Sequence, residues 1–254
     1  MPYIIYEKKD HIAYITLNRP ERMNALGAEL SQQLREAENN FAEDADAWVA
    51  IYTGAGERAF CAGLDLKERA ERGGSPGGRS GSAPRRASVE QFKPTIAAIN
   101  GAAFGGGLEL ALRCDVRICS ENAVVGLSEV KVGLCPVTGA FYLPRLIGIS
   151  NAMWYLMSGE SIDAQEAYRI GLVSKVVPLP ELLPTATRMA EIICANTQLG
   201  VRATKQLAKL GMETPMDYGF RLSGALIDSV WGSEDAREGI RAFTEKRQPV
   251  WKMR

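Results

Sequence analysis

Asn100-Gly101-Ala102-Ala103-Phe104-Gly105-Gly106-Gly107-Leu108-Glu109 carries the chain from an apolar strand, Thr95 to Asn100, through three glycines into a helix whose first turn holds a carboxylate. Exposed N–H groups at a helix start, with the axial dipole behind them, can polarise a carbonyl oxygen as it becomes negative. The layout predicts an anion hole. A second carboxylate, Glu129, follows in Gly126-Leu127-Ser128-Glu129-Val130-Lys131. Two carboxylates beside an oxyanion site suffice to add or remove water next to a carbonyl. Read singly, Glu109 is also a helix-start charge matched to the dipole, and Glu129 a surface ion-pair partner for Lys131.

The flanking sequence alternates strand and helix. Ile12-Ala13-Tyr14-Ile15-Thr16-Leu17 has strand periodicity, preceded by a hairpin turn at Lys8-Lys9-Asp10-His11 and broken by Asn18-Arg19-Pro20. Leu26, Leu30, Leu34, Ala37 and Phe41 then recur at helical steps. Trp48 to Thr53 is a buried strand closed by Gly54-Ala55-Gly56, Val116 to Cys119 another strand, and Thr138 onward helix. Such alternation predicts an α/β unit over residues 1–197. From 198 to 254 the pattern is helical, with breaks near Gly211 to Pro215 and at Gly232, and Ser233 reads as a helix cap.

With thirty basic and thirty acidic residues, net charge zero and no long apolar run, nothing points to nucleic acid or membrane as a partner. The N-terminal residues show no secretory pattern, so a cytoplasmic location is expected. Five cysteines at 61, 114, 119, 135 and 194 form no CxxC pair and read as reduced, buried small residues. The single histidine, His11, reads as a surface or structural residue and leaves little room for a His-rich zinc site or a Ser-His-Asp triad. The Gly/Arg-rich stretch 72–86 reads as a mobile surface loop whose arginines are solvated or reach ligand phosphates. Gly54-Ala55-Gly56-Glu57-Arg58-Ala59 fits a dinucleotide-binding pattern. It lacks the helix that should follow, since Phe60 to Asp65 reads as a further turn.

Ala59-Phe60-Cys61-Ala62-Gly63-Leu64-Asp65-Leu66-Lys67-Glu68, the glycine segment leading to Glu109, Leu17-Asn18-Arg19-Pro20 with Met23-Asn24-Ala25-Leu26, and Ser174-Lys175-Val176-Val177-Pro178 occur in one order. Together they resemble the enoyl-CoA hydratase/isomerase (crotonase) superfamily over nearly the whole chain. The resemblance implies a spiral of ββα repeats with a C-terminal helical trimerisation region. It also implies an oxyanion hole made by the backbone N–H groups of Leu64 and Gly106, and catalytic roles for Glu109 and Glu129. Arg22, Met23, Ala25, Ala62, Leu64, Asp65, Leu66, Gly105, Gly106 and Thr138 are the implied substrate and CoA contacts. Phe243 and Lys246 are implied to reach CoA on an adjacent subunit of a trimer or a dimer of trimers. An acyl-CoA thioester is the implied substrate, CoA being part of it, with no metal or redox cofactor.

Both glutamates of the family pair are present, which favours hydration of a 2-enoyl thioester and its reverse. An isomerase or other acyl-CoA lyase on the same scaffold, or a non-catalytic CoA- or RNA-binding relative, is the alternative. Where many hydratases carry a glycine-rich turn after the second glutamate, this chain reads Leu134-Cys135-Pro136-Val137-Thr138-Gly139-Ala140-Phe141. That departure predicts a reshaped acyl pocket. The ending Glu245 to Lys252 is similar to carnitinyl-CoA dehydratases within the family.

Overall fold

The computed structural model describes residues 1–71, 73 and 92–254. The stretch 72–86 therefore lies outside the described residues, apart from Gly73. Strands β1 (Ile4–Lys9) and β2 (Ile12–Leu17) form an antiparallel hairpin whose turn residue Asp10 has φ 52°. After a 3-10 turn at Pro20–Arg22 come α1 (Ala28–Glu43), β3 (Val49–Gly54), β4 (Ala59–Cys61) and α2 (Leu66–Glu71). Next are β5 (Thr95–Ile99), β6 (Ala102–Phe104), α3 (Gly106–Arg113), β7 (Val116–Ser120), β8 (Val124–Gly126), a 3-10 turn at Glu129–Val132 and α4 (Val137–Ile147). The chain continues through α5 (Ile149–Ser158), β9 (Ser161–Asp163), α6 (Ala164–Arg169), β10 (Lys175–Val177) and α7 (Leu179–Cys194). It finishes with α8 (Gln198–Glu213), α9 (Met216–Trp231) and α10 (Glu234–Glu245).

The strands make two sheets, one in the order β1-β2-β3-β5-β7-β10 and the other β4-β6-β8-β9. Each of β3, β5 and β7 in the large sheet hands the chain to a three-residue strand of the small sheet and then to a helix. This is the expected ββα spiral. All strand pairs between β2 and β10 in the large sheet are parallel, so both its faces must be covered. The side chains obey that demand with period two. Ala50, Tyr52, Ala97 and Ile99 enter a core shared with Leu30, Leu34, Ala37 and Phe41 of α1. Val49, Ile51, Ile96 and Ala98 enter a second core closed by Leu182, Ala186 and Ala190, one stripe of α7.

Three expectations change. Leu26 is not part of α1. The helix starts at Ala28 behind the extended Gly27, where Glu68 Oε1 accepts the Ala28 N–H at 3.0 Å, and Leu26 instead makes a parallel bridge with Leu64. Ala59 to Cys61 is a strand rather than part of a turn, because it pairs with β6; the strand also confirms that no dinucleotide-binding helix follows Gly56. Among the cysteines, Cys61, Cys114 and Cys119 are buried and Cys194 is half-buried, but Cys135 is exposed, in the segment leading to α4.

His11 stacks flat on Trp48 with ring centroids 3.5 Å apart, a structural role. Ser233 caps α10 by accepting the Ala236 N–H at 3.0 Å. Among the described residues no helix is long and apolar enough to cross a membrane.

Candidate active site

The turn after β4 and the start of α3 are pressed together. Gly63 has φ +87°, and a β-carbon there would lie 2.6 Å from Phe104 O and 3.4 Å from Gly106 N. Only glycine allows this approach. On the other side of the turn three backbone hydrogen bonds fix it to the segment before α1. Ala62 N donates to Met23 O at 2.9 Å, Leu26 N to Gly63 O at 2.7 Å, and Asp65 N to Leu26 O at 3.2 Å. With Gly63 O and Asp65 N committed to Leu26, the extended backbone turns the Leu64 N–H to the opposite side. Gly106 opens α3, so its N–H has no carbonyl one turn earlier to bond. The two amides expected to bind a thioester oxygen thus belong to segments in direct contact.

Gly105 and Gly107 are needed for packing. Gly105 has φ +51°, and a β-carbon on it would come 3.2 Å from Glu129 Oε1; one on Gly107 would collide with the Cys61 carbonyl. The first contact puts the Glu129 carboxyl against the glycine triplet. Glu129 is not the ion-pair partner of Lys131, which instead reaches Glu160 at 3.5 Å. Its Oε2 is buried with no hydrogen-bond partner. Burial first, and the nearby Glu109 carboxylate after it, push the Glu129 carboxyl above the ordinary range. The two acidic groups thus sense each other.

Glu109, in the first turn of α3, turns its Oε1 to the Gly139 N–H at 2.9 Å. Gly139 is the third residue of α4, and Pro136 before that helix supplies no side-chain cap. Glu109 therefore fills the capping role for α4 as well as lying at the start of α3. Its second oxygen is left for other work. Thr138 is the second residue of α4, beside this contact, and a β-carbon on Gly139 would run into Leu127.

Of the remaining expected residues, Leu64 and Leu66 are exposed, 40% and 44%, at the mouth of the turn. Ala25 is buried, Met23 half-buried and Arg22 exposed on the adjoining segment. Asp65 is taken up internally. It pairs with Arg19 at 2.9 Å and caps α2 by accepting the Glu68 N–H at 3.0 Å, and these contacts hold its carboxyl below the usual range, the cap foremost. Phe243, 87% exposed, and Lys246, at the left-handed end of α10, enter none of these contacts. An open groove lined by Met23, Glu57, Arg58, Glu121, Asn122 and Leu179 includes neither Glu109 nor Glu129 and none of the glycine triplet.

Sequence reading missed two clamps. Buried Asn24 and Asn100 bond the carbonyls of the β3–β4 connection, Ala55, Ala59, Gly54 and Gly56. Buried Asp235 accepts Thr197 Oγ1 and the backbone N–H groups of Lys252 and Met253, strapping the C-terminal tail to α10. In sequence Asn24 stands out only within the Met23 to Leu26 motif and Asn100 only as the end of a strand, while nothing local marks Asp235.

A family model for enoyl-CoA hydratase/isomerase matches residues 7–254. The chain is 44% identical over 253 residues to (E)-benzylidenesuccinyl-CoA hydratase of Thauera aromatica, covering 98% of both chains. It is 43% identical to a carnitinyl-CoA dehydratase of Salmonella enteritidis PT4, with 96% of this chain and 95% of that one covered. Among solved structures, an enoyl-CoA hydratase from Mycobacterium tuberculosis H37Rv superposes over the full length of both chains with a TM-score of 0.92 at 36% identity. With its ββα spiral and a match over nearly its entire length, the chain belongs to the enoyl-CoA hydratase/isomerase, or crotonase, family.

Proposed function

We propose that the protein is a hydro-lyase that adds water reversibly to the double bond of a 2-enoyl-CoA thioester. The observation that carries this reading is the pairing of Glu109 with Glu129, the latter with a buried, unpartnered oxygen, beside amides at the start of α3 and on the β4 turn. Isomerisation requires only one group to shuttle a proton; hydration requires one to take a proton from water and one to give a proton to carbon.

The thioester oxygen accepts the Leu64 and Gly106 N–H groups. Water attacks the β-carbon while Glu109, held by Gly139 N–H through Oε1, removes a water proton through its other oxygen. Electron density moves through the former double bond to the thioester oxygen, where the amides meet growing negative charge. Glu129, whose environment favours the neutral acid, delivers a proton to the α-carbon and ends as a carboxylate. Water supplies one O–H to the β-carbon and one proton to Glu109, so the pair of acids returns to its starting state by passing that proton back. Both groups act on one side of the double bond, giving syn addition. No cofactor beyond the CoA of the substrate takes part.

The acyl group is the open quantity. The segment Leu134 to Phe141, with Val137 and Ala140 where many hydratases carry glycine, and the benzylidenesuccinyl-CoA and carnitinyl-CoA specificities named for the relatives both favour a substrate larger at the β-carbon than an unbranched short chain. The family resemblance supports Phe243 and Lys246 as contacts to CoA held by a neighbouring subunit of a trimer or hexamer. The test is a panel of 2-enoyl-CoA thioesters varied in length, branching and β-substituent, followed by loss of the conjugated absorbance. Turnover of a β-substituted thioester in preference to a short straight one supports the reading. Double-bond migration without any hydrated product replaces it with an isomerase.

A further inference from the structure

We infer that Asn24 is a positioning residue for the oxyanion donor on Leu64, an assignment that rests on the hydratase reading above. Met23 and Asn24 are consecutive non-glycine residues with left-handed backbone, φ 53° and 55°. A side chain on Met23 disfavours that conformation and asparagine tolerates it through local hydrogen bonds, so the pair depends on what holds it. The Asn24 side chain does. Fully buried, it accepts the Arg19 N–H through Oδ1 at 2.9 Å and donates through Nδ2 to Ala59 O at 2.8 Å and Ala55 O at 3.1 Å. The space it occupies is reserved by sequence, since a β-carbon on Gly54 would fall 2.7 Å from Nδ2.

One amide thus ties the loop before α1 to both ends of the β3–β4 connection. The neighbouring residues carry that tie to the reacting oxygen. Met23 O receives the Ala62 N–H, and Leu26 bonds Gly63 O and Asp65 N, so residues 23–26 and 62–65 form one short backbone zipper. Leu64 lies at its centre with its N–H turned outward. Releasing Asn24 frees the register of the zipper and so the direction of that N–H, while the exposed side chains at the mouth of the turn are unchanged. Oxyanion donors act on charge that develops in the transition state, so the loss belongs in kcat and in carbonyl polarisation, not in CoA affinity.

Asn24→Gly tests this, because glycine accepts the left-handed backbone and removes only the side-chain bonds. The probe is a chromophoric cinnamoyl-CoA thioester whose absorption moves to longer wavelength when its carbonyl is polarised. Wild-type protein should bind it with a red shift. Asn24→Gly should lose most of that shift and about 10²-fold in kcat on a turned-over enoyl-CoA, with KM changed by less than about threefold, the effect of one lost donor. An unaltered red shift and kcat in a folded Asn24→Gly protein overturns the inference. Absence of any red shift in the wild type overturns the hydratase reading itself, so the two failures are distinguishable.

If the variant does not fold, the wild-type protein still decides. The Asn24 side-chain amide, followed by nitrogen-15 NMR, should exchange slowly with solvent and shift when the thioester binds. Fast exchange, or no response to the ligand, refutes the assignment.

Discussion

Gly63→Ala is the sharpest test of how the site is built. Gly63 has φ +87°, and an added β-carbon would stand 2.6 Å from Phe104 O, a backbone atom that cannot swing away. The backbone term is about 1–2 kcal/mol and the overpacking term about 1–3 kcal/mol, together about 2–5 kcal/mol. For a chain of this size that corresponds to a fall in Tm of about 4–20 °C. Relief comes by moving the 62–64 turn away from the first residue of α3, which separates the two amides, and kcat should fall by about 10² to 10³. Gly148→Ala is the matched control. Its φ is +77° with ψ 155°, and no atom lies within 4 Å of the added carbon, so only backbone strain of about 1–3 kcal/mol applies, with a Tm loss of about 2–12 °C and turnover unchanged. Thermal unfolding and steady-state hydration of the same enoyl-CoA on both variants complete the comparison. If Gly63→Ala loses no more stability than Gly148→Ala, or keeps full kcat, the close approach of the turn to α3 does not govern the oxyanion hole.

Other perturbations separate the parts of the site. Glu109→Gln and Glu129→Gln should each cost about 10² to 10⁴ in hydration kcat, and full turnover in either would refute the paired-acid mechanism. Glu129→Gln should also be more stable than wild type at neutral pH. A raised carboxyl pKa means the folded state binds its proton more tightly than the unfolded one, so the cost of ionising it accrues as pH rises from the ordinary carboxylate range through the raised value. The stability gain should therefore vanish as unfolding is measured at successively lower pH, and a pH-independent difference would show that the environment of Glu129 does not favour its acid form. Asp235→Ala breaks a buried carboxylate with three accepted hydrogen bonds and should lower stability by about 3 kcal/mol or more, read by denaturant unfolding. Thiol titration of the native protein should find Cys135 reacting fast, while Cys61, Cys114 and Cys119, each buried with its pKa pushed up to about 12, react only on unfolding.

What could be read from the sequence tracks the distance over which each signal acts. The β1–β2 hairpin, the stripe of Leu30, Leu34, Ala37 and Phe41, and the breaks at Gly211 to Pro215 and Gly232 are local patterns, and they locate their elements within a few residues. The small sheet is different. Its strands β4, β6, β8 and β9 have three residues each, too short for any period to register, so the ββα spiral was legible only through resemblance to a family. Leu26 shows how a local pattern misleads. It falls in step with the helical stripe, yet the Leu26 N–H and C=O are both spent on the 62–65 turn, a pairing no window around residue 26 contains.

The candidate site divides along the same line. The glycine triplet and Glu109 lie in one ten-residue stretch and announce an anion site unaided. Glu129, twenty positions on, could equally have paired with Lys131 until Gly105 brought its carboxyl to the glycines and left Lys131 to Glu160. Asn24 lies farthest from what a sequence can say about itself. As a residue type it signals a turn, and it does occupy one, but the part it plays depends on Ala55 and Ala59 some thirty positions away, and on Gly54 having no side chain in the space its amide fills. The oxyanion hole is made of main-chain atoms common to every residue. What distinguishes it is therefore not the identity of Leu64 but the side chains, remote in sequence, that decide which way its N–H points.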